Sequence, residues 1–534
     1  MTGLGKKVLA SVLAITSSTM FAPLALAEER PGITVAVNKL PRALDPGDQT
    51  GTVDVRVYYS IFDTLIRRDF ITPAADGGTR LLPGLATSWE RINPTTLEFK
   101  LRQDVTCHDG NPFTADDVVA TFSPERLRGA GSFYPKGRIY FSHVAEVQKV
   151  DDFTVRFVTE RPDLVLEHRL SSYTSFIVCD EALNAFRKDG VEAALWLDEA
   201  AKALRWNPVG TGPYKFKDYQ KNDRVTLVSH DDYFEGRPSA ESITFREVPE
   251  VSARIAGVVS GEYDIAVEVP PDQWAVLDRY DDVTMKTVTL DNSHVLVFNT
   301  QHPQLQDKKL RHALSLAIDR QKLIDGLWKG QTFTPKGHQL PSFGPMYDSD
   351  RAGYVFDPEK ARQLIKESGY DGEEIVYRLI PGYYLNNVKT AQAIQEMWRD
   401  VGINSKLMFV ESFKKVREED TMIYAWSNTY RIPDPTGALI ANWGPNASTQ
   451  RKYKYFQPAP AFNEMADRLF GMDNMAERRD VFTEMLDIFE DDMPMTILYN
   501  PLVSFAMNNR VDWTPYSLFF MDFRPSNFTL RTDG

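Results

Sequence analysis

Apolar positions along this chain follow two periods, and the period changes often. Residues 33–37 (ITVAV) read as a buried strand, and PRALDPGDQTGT after it reads as a loop rich in Pro, Asp and Gly. Val53, Val57, Tyr58, Ile61 and Leu65 then fall at helical spacing. TLEFKL at 96–101 and FTVRFV at 153–158 alternate as strands. Between them, TADDVVATF opens with Thr114 and places Asp117 three residues on, a capping-box pattern that starts a helix.

The second half repeats the alternation. Strands are expected near 225–229, 243–247 and 294–298, with one helix over EVSARIAGVVSGEY. DKKLRHALSLAIDRQKLIDGLW reads as a single helix capped by Asp307, with Leu310, Leu314, Ala317, Ile318, Ile324 and Leu327 as its buried stripe. DPEKARQLIKESGY has Asp357 as N-cap, Pro358 at the first position and Gly369 just past the end. A further helix spans about 388–400, flanked by strands near 375–380 and 405–410. YAWSNTYRIPDPTG (424–437) reads as a loop leaving a strand, aromatic, stiff and carrying one arginine. No internal repeat, low-complexity tract or flexible linker is visible. Alternating elements without a linker imply α/β lobes packed together, with a ligand cleft beyond the strand ends.

The first 27 residues break the pattern. Lys6 and Lys7 precede the apolar run Val8–Ile15, and Ala25-Leu26-Ala27 closes the segment. These are the parts of a secretory signal peptide, with cleavage expected after Ala27. No later stretch is apolar enough for a membrane span, and no cysteine lies near the cleavage point for lipid attachment, so export to a bacterial periplasm is expected. The 534 residues, 43% hydrophobic and 25% charged, suffice for two to four domains. Loss of the two lysines takes the net charge from −13 to −15, which argues against nucleic-acid or anionic-membrane partners but not against one local positive site. Cys107 and Cys179 are the two cysteines. In an oxidising compartment they can form a disulfide, and otherwise they are two buried thiols.

Catalytic signatures are missing: there is no G-x-S-x-G, H-E-x-x-H, Walker A or G-x-G-x-x-G. GTGPYKF at 210–216 lacks the third glycine and the following helix of a nucleotide loop. The eight histidines (His108, His143, His168, His230, His294, His302, His312 and His338) show no i,i+4 pair, so no zinc site and no cofactor are expected. Binding is the better default than catalysis.

Several stretches, in order, resemble one family. LLPGLATSWE, LEFKLRQDVTCHDGNPFTADDVVATF, VGTGPYKFKDYQKNDRVTLVSHDDYFEGRP, SGEYDIA, FNT, LRHALSLAIDR and DPEKARQLIKESGY resemble the peptide/nickel/opine class of solute-binding proteins that feed ABC importers. The likeness covers essentially the whole mature chain. His108–Asp117 is read within it as a turn and helix cap, with His108 and Asp109 tying backbone amides. The resemblance implies an α/β, two-lobed periplasmic-binding-protein fold of the large class, with an extra subdomain on lobe I. It implies lobe I at 28–293 with the subdomain at about 60–205, lobe II at 294–495, and a return to lobe I over 496–534. A monomer that closes on a small solute and delivers it to a membrane permease and its ATPase is expected, not an enzyme. The alternative is a sensor, chaperone-like or enzymatic role on the same scaffold.

In peptide-binding relatives a G-W-x-x-D stretch supplies a carboxylate to the ligand's amino group. The matching residues here are Ala425-Trp426-Ser427-Asn428-Thr429, with Thr429 where the aspartate would stand. That departure disfavours ordinary free peptides, and Arg431 two residues on suits a carboxylate or phosphate. An opine, a sugar-acid conjugate or a short modified peptide is therefore expected. Trp426, Asn428, Thr429, Tyr430, Arg431 and Asp434 are the first ligand candidates. By position in the resembled family, Thr50, Thr52, Arg138, Tyr140, Tyr383 and Asn387 join them.

Overall fold

The computed structural model describes residues 1–3, 30–48, 51–129 and 131–531. The signal-peptide segment lies almost wholly outside these residues. Twelve strands build the two largest sheets. The first six are β1 (Ile33–Val37), β2 (Tyr214–Gln220), β3 (Arg224–Ser229), β4 (Ser242–Glu247), β5 (Ile265–Val267) and β6 (Val283–Thr289). The second six are β7 (Asn292–Phe298), β8 (Ile375–Leu379), β9 (Ser405–Phe409), β10 (Ile423–Thr429), β11 (Met495–Tyr499) and β12 (Leu502–Asn508).

One sheet has seven strands in the order β6-β12-β5-β1-β4-β3-β2, and the other has five in the order β9-β8-β10-β7-β11. Both are mixed. In the first, β1 runs parallel to β4 and β5. In the second, β8 runs parallel to β9 and β10, while β7 is antiparallel to β10 and β11. A separate four-stranded antiparallel sheet, built from residues 86–101 and 144–159, packs with its own apolar core of Leu97, Phe99, Val118, Phe122 and Phe157. β7, β11 and β12 are almost wholly buried, as their unbroken apolar sequences require.

The chain passes between the two large sheets twice, from β6 to β7 and from β11 back to β12. The two passages lie side by side. Leu290 N donates to Pro501 O at 3.0 Å, Asn500 Nδ2 donates to Leu290 O at 3.2 Å, and Ser293 Oγ donates to Asn500 Oδ1 at 2.7 Å.

Local signals are realised with two differences. Thr114 and Asp117 form the capping box of the helix Ala115–Thr121, and Asp357 and Gly369 bound Pro358–Ser368. The stretch expected as one helix from 307 is two, Lys308–Leu316 and Arg320–Trp328. Asp319 breaks it by accepting from Lys322 N at 2.9 Å, starting a second helix of its own. The buried Arg320 guanidinium holds the junction by donating to the carbonyls of Ser315, Ile318 and Ile497. The stretch 424–437 is a loop only in its second half, since residues through Thr429 belong to β10.

GTGPY and HDG meet in space. His108 N donates to Gly210 O at 2.9 Å, and His108 Nε2 lies 3.0 Å from Gly212 O. A Cβ on either glycine would collide with the backbone of Ser60 and Ile61, so close approach of chains explains the glycines. Next to this knot, Cys107 and Cys179 are joined by a disulfide with a Cα–Cα distance of 6.3 Å and a sequence separation of 72. Closing a loop of that length removes denatured-state entropy worth about 4 kcal/mol. The double variant Cys107→Ser/Cys179→Ser is expected to lose about 2–4 kcal/mol against the oxidised protein in guanidinium unfolding. Equal midpoints would show the bridge to be thermodynamically silent.

Candidate functional site

A cavity of about 1080 Å³ opens between the two large sheets, roughly the upper end of the size range of ligand pockets. One wall comes from the first sheet and its additions: Arg42, Gly47, Asp48, Gly51 and Thr52 after β1, and Phe133–Tyr134 with Arg138–Tyr140 around the helix Pro135–Phe141. The other wall follows the carboxyl ends of the parallel strands β8 and β10, with Tyr383 and Tyr384 after the first and Thr429 and Arg431 at the second. That is where open α/β sheets leave room for a ligand. Phe413, Arg417, Tyr424, Trp426, Tyr453 and the segment 441–451 complete it.

Period two along β10 decides which residues reach the cavity. Thr429 and Arg431 turn towards it, and Thr429 Oγ1 accepts from Asn292 Nδ2 at 2.7 Å. Asn428 and Tyr430 turn the other way, beneath the helical segment 436–443. Asn428 lies 2.5 Å from His338 Nε2 through Nδ2 and accepts from Asn442 Nδ2 at 2.7 Å. Tyr430 packs against His338 and Phe343, and its hydroxyl meets Ser293 Oγ at 3.1 Å. Neither faces a ligand, contrary to expectation.

Asp434 is also a core residue. Its carboxylate accepts from Arg478 Nη1 at 2.5 Å and Nη2 at 3.0 Å, and from Thr436 N and Oγ1 at 2.8 and 2.7 Å. Burial favours its neutral form, yet Arg478 and Thr436 hold its pKa below the usual carboxylate value. Asn387 is likewise spoken for: Nδ2 donates to Ile380 O at 2.6 Å and Oδ1 accepts from Gly382 N at 3.3 Å. It shapes the turn that presents Tyr383 and Tyr384. Of the other candidates, Trp426, Thr429, Arg431, Arg138, Tyr140, Thr52 and Tyr383 line the cavity, and Thr50 lies outside the described residues.

Arg431 is held by phenols from the opposite wall. Its Nε donates to Tyr173 Oη, and Nη1 donates to Tyr140 Oη at 3.4 Å. Its guanidinium carbon is 5.7 Å from the Tyr173 ring centroid. Burial pushes the Tyr173 phenol up to about 12, with Arg431 pulling against it. Burial also works against the charge on Arg431, but Tyr140 and Tyr173 keep its pKa above the ordinary value. Both partners are neutral near pH 7, and no carboxylate forms an ion pair with Arg431 among the described residues. The cation is therefore solvated by dipoles but not neutralised.

Sequence reading missed most of the positive charge. The cavity is lined by Arg42, Arg138, Arg417, Arg431 and Arg451 against a single acid, Asp48. Arg42 pairs with Asp54 at 2.5 Å, but Arg417 has no acidic partner among the described residues. In sequence Arg417 sits in FKKVREED, where nothing separates it from an ordinary solvated charge run. Among the described lining residues there is no histidine or cysteine, so the cavity offers a metal ion no imidazole or thiolate.

The Asp434–Arg478 pair is expected to act on stability and not on ligand. Asp434→Asn leaves a buried cation without its counter-charge and is expected to cost about 3–5 kcal/mol in denaturant unfolding. A loss below about 1 kcal/mol would mean that the pair is not the structural lock described here.

A model of the bacterial extracellular solute-binding proteins, family 5, matches residues 80–450, more than half of the chain. The chain is 27% identical over 452 residues to the dipeptide-binding protein of Escherichia coli K12, covering 80% of this chain and 82% of that protein. Among solved structures, it resembles a dipeptide-binding protein from Pseudoalteromonas sp. SM9913 in complex with Met-Leu. The TM-score is 0.81 at 20% identity, covering 94% of this chain and 100% of that one. It also resembles AgaA from A. tumefaciens R10 in complex with agropinic acid. Here the TM-score is 0.78 at 23% identity, covering 94% and 99%. With this match over most of its length, on a two-sheet fold with a cavity between, the chain belongs to the family 5 bacterial extracellular solute-binding proteins.

Proposed function

We propose that this protein captures a small anionic solute in the periplasm and delivers it to the membrane permease of an ABC importer. The observation that carries the reading is Arg431, a cation in the inter-sheet cavity whose partners are two neutral phenols. A solute carboxylate or phosphate supplies the missing charge and can accept two parallel N–H bonds from the guanidinium. Trp426 and Tyr383 offer aromatic surface for the solute body. Thr429, neutral where peptide-binding relatives place an aspartate, removes the partner for a free amino terminus.

Binding works by closure. The paired passages between β6 and β7 and between β11 and β12 act as the hinge, and ligand favours the arrangement in which both walls meet it. Lobe I is residues 28–293 and 496–534, decorated by the subdomain at about 60–205, and lobe II is 294–495. No chemical step is required of any residue. The protein acts as an exported monomer, with its signal peptide cleaved after Ala27. Among the described residues no helix is long and apolar enough to cross a membrane. Relatives named as peptide binders support a peptide-like body, and the agropinic acid complex supports an acidic one.

Calorimetry with agropinic acid, related opine acids and neutral dipeptides tests this. Acidic solutes are expected to bind best, and Arg431→Ala is expected to weaken them about 10- to 100-fold, the loss of roughly 1.5–3 kcal/mol for a charged hydrogen bond. Neutral dipeptides that bind as tightly, with affinity unchanged in Arg431→Ala, would overturn the reading. Thr429→Asp is expected to reverse the preference, since it places a carboxylate two residues from Arg431. Acidic solutes should then weaken and dipeptides with a free amino terminus should gain.

A further inference from the structure

Arg417 stands apart from the other buried arginines of this protein. Arg311 and Arg320 each donate to three or more backbone carbonyls, and Arg478 meets a carboxylate bidentately. These guanidinium groups are satisfied by the fold. Arg417 has neither kind of partner. Its guanidinium carbon lies 5.1 Å from the ring centroid of Phe413, 5.7 Å from Tyr424, 5.2 Å from Trp426 and 5.4 Å from Tyr453.

Four rings hold the guanidinium in place and favour its charge, but a π-face does not replace an acceptor for five N–H donors. The phenols of Tyr424 and Tyr453 engage it, while its Nε remains buried with no hydrogen-bond partner. All five residues line the cavity. Such a box keeps a planar donor array rigid and dry while leaving it short of a counter-charge, which is what a preorganised anion site needs.

The box is distinct from the Arg431 position. Arg431 leaves the end of β10 and is held by phenols of the opposite wall, whereas Arg417 rests on Trp426, five residues earlier. At roughly 3.3 Å per extended residue, that stretch of backbone spans about 15 Å, beyond the reach of one carboxylate. We propose that the Arg417 aromatic box is a second anion subsite, so that the cleft suits a solute with two acidic groups held apart by a short body. The proposal rests on the anionic-solute reading above and narrows it from one acid to two.

Anomalous diffraction from ligand-free crystals soaked in selenate tests the subsite. Two anions are expected, one at Arg431 and one at Arg417, and Arg417→Met should lose only the second. Arg417→Lys keeps the charge but not the planar fork, and its peak should weaken. A single peak at Arg431 overturns the second subsite and leaves the anionic reading standing. Peaks at neither arginine overturn both. A thermal-shift panel of diacids and their matched monoamides tests the solute class. Diacids should stabilise the wild-type protein more than their monoamides, and Arg417→Met should erase that difference. A panel in which no diacid outranks its monoamide overturns the two-acid class.

Discussion

Two backbone passages, lying against each other, are what the rest of this molecule depends on. Because the chain enters the five-stranded sheet at β7 and leaves it after β11, both connections must run through one narrow zone. Leu290, Asn500 and Pro501 hydrogen-bond across that zone. The two sheets are thereby fixed at one edge and left apart elsewhere, which creates the cavity. The floor of the cavity is tied to the same place: Tyr430 N donates to Asp291 O at 2.9 Å, and Arg431 is the next residue. A cation is thus mounted beside the point about which the walls move, and it needs only a small displacement to gain or lose contact with the opposite wall.

The chemistry of the cleft follows from how its arginines are supported. Where carboxylates or carbonyls saturate a guanidinium, the residue belongs to the scaffold. Where only rings and phenols surround it, positive potential remains in an enclosed space, and its value to an anion rises as water is excluded. With Arg431 resting on Tyr173 and Tyr140, the empty cleft already holds a weak contact across its two walls. A solute must offer more than those phenols do, and a charged acceptor does so while a neutral amide scarcely can.

Much of the architecture was legible in the sequence because it is written in local rules. The capping box at Thr114, the bounds at Asp357 and Gly369, and the alternation of strands and helices are short-range signals. The break at Asp319 was missed because the apolar stripe continues across it, and only the competing cap marks the interruption. The candidate site was legible where it coincides with strand ends: Thr429, Arg431, Trp426 and Tyr383 reach the cavity. Asn428, Tyr430 and Asp434 were misplaced because the parity of β10 and the partner at Arg478, 44 residues away, are facts of register and tertiary contact. Arg417 was invisible for the converse reason, since its four aromatic neighbours come from three separate segments.

The disulfide described with the HDG knot has a consequence for motion. Both of its cysteines sit between the first and second strands of the larger sheet in chain order, so the crosslink and its whole loop lie on one side of the hinge. Covalent stiffening is thereby confined to one moving body. Relative rotation of the two bodies stretches no S–S bond and strains no crosslinked loop. One half of the clamp can be made rigid, and resistant to the conditions outside the cytoplasm, without slowing the opening and closing on which uptake depends.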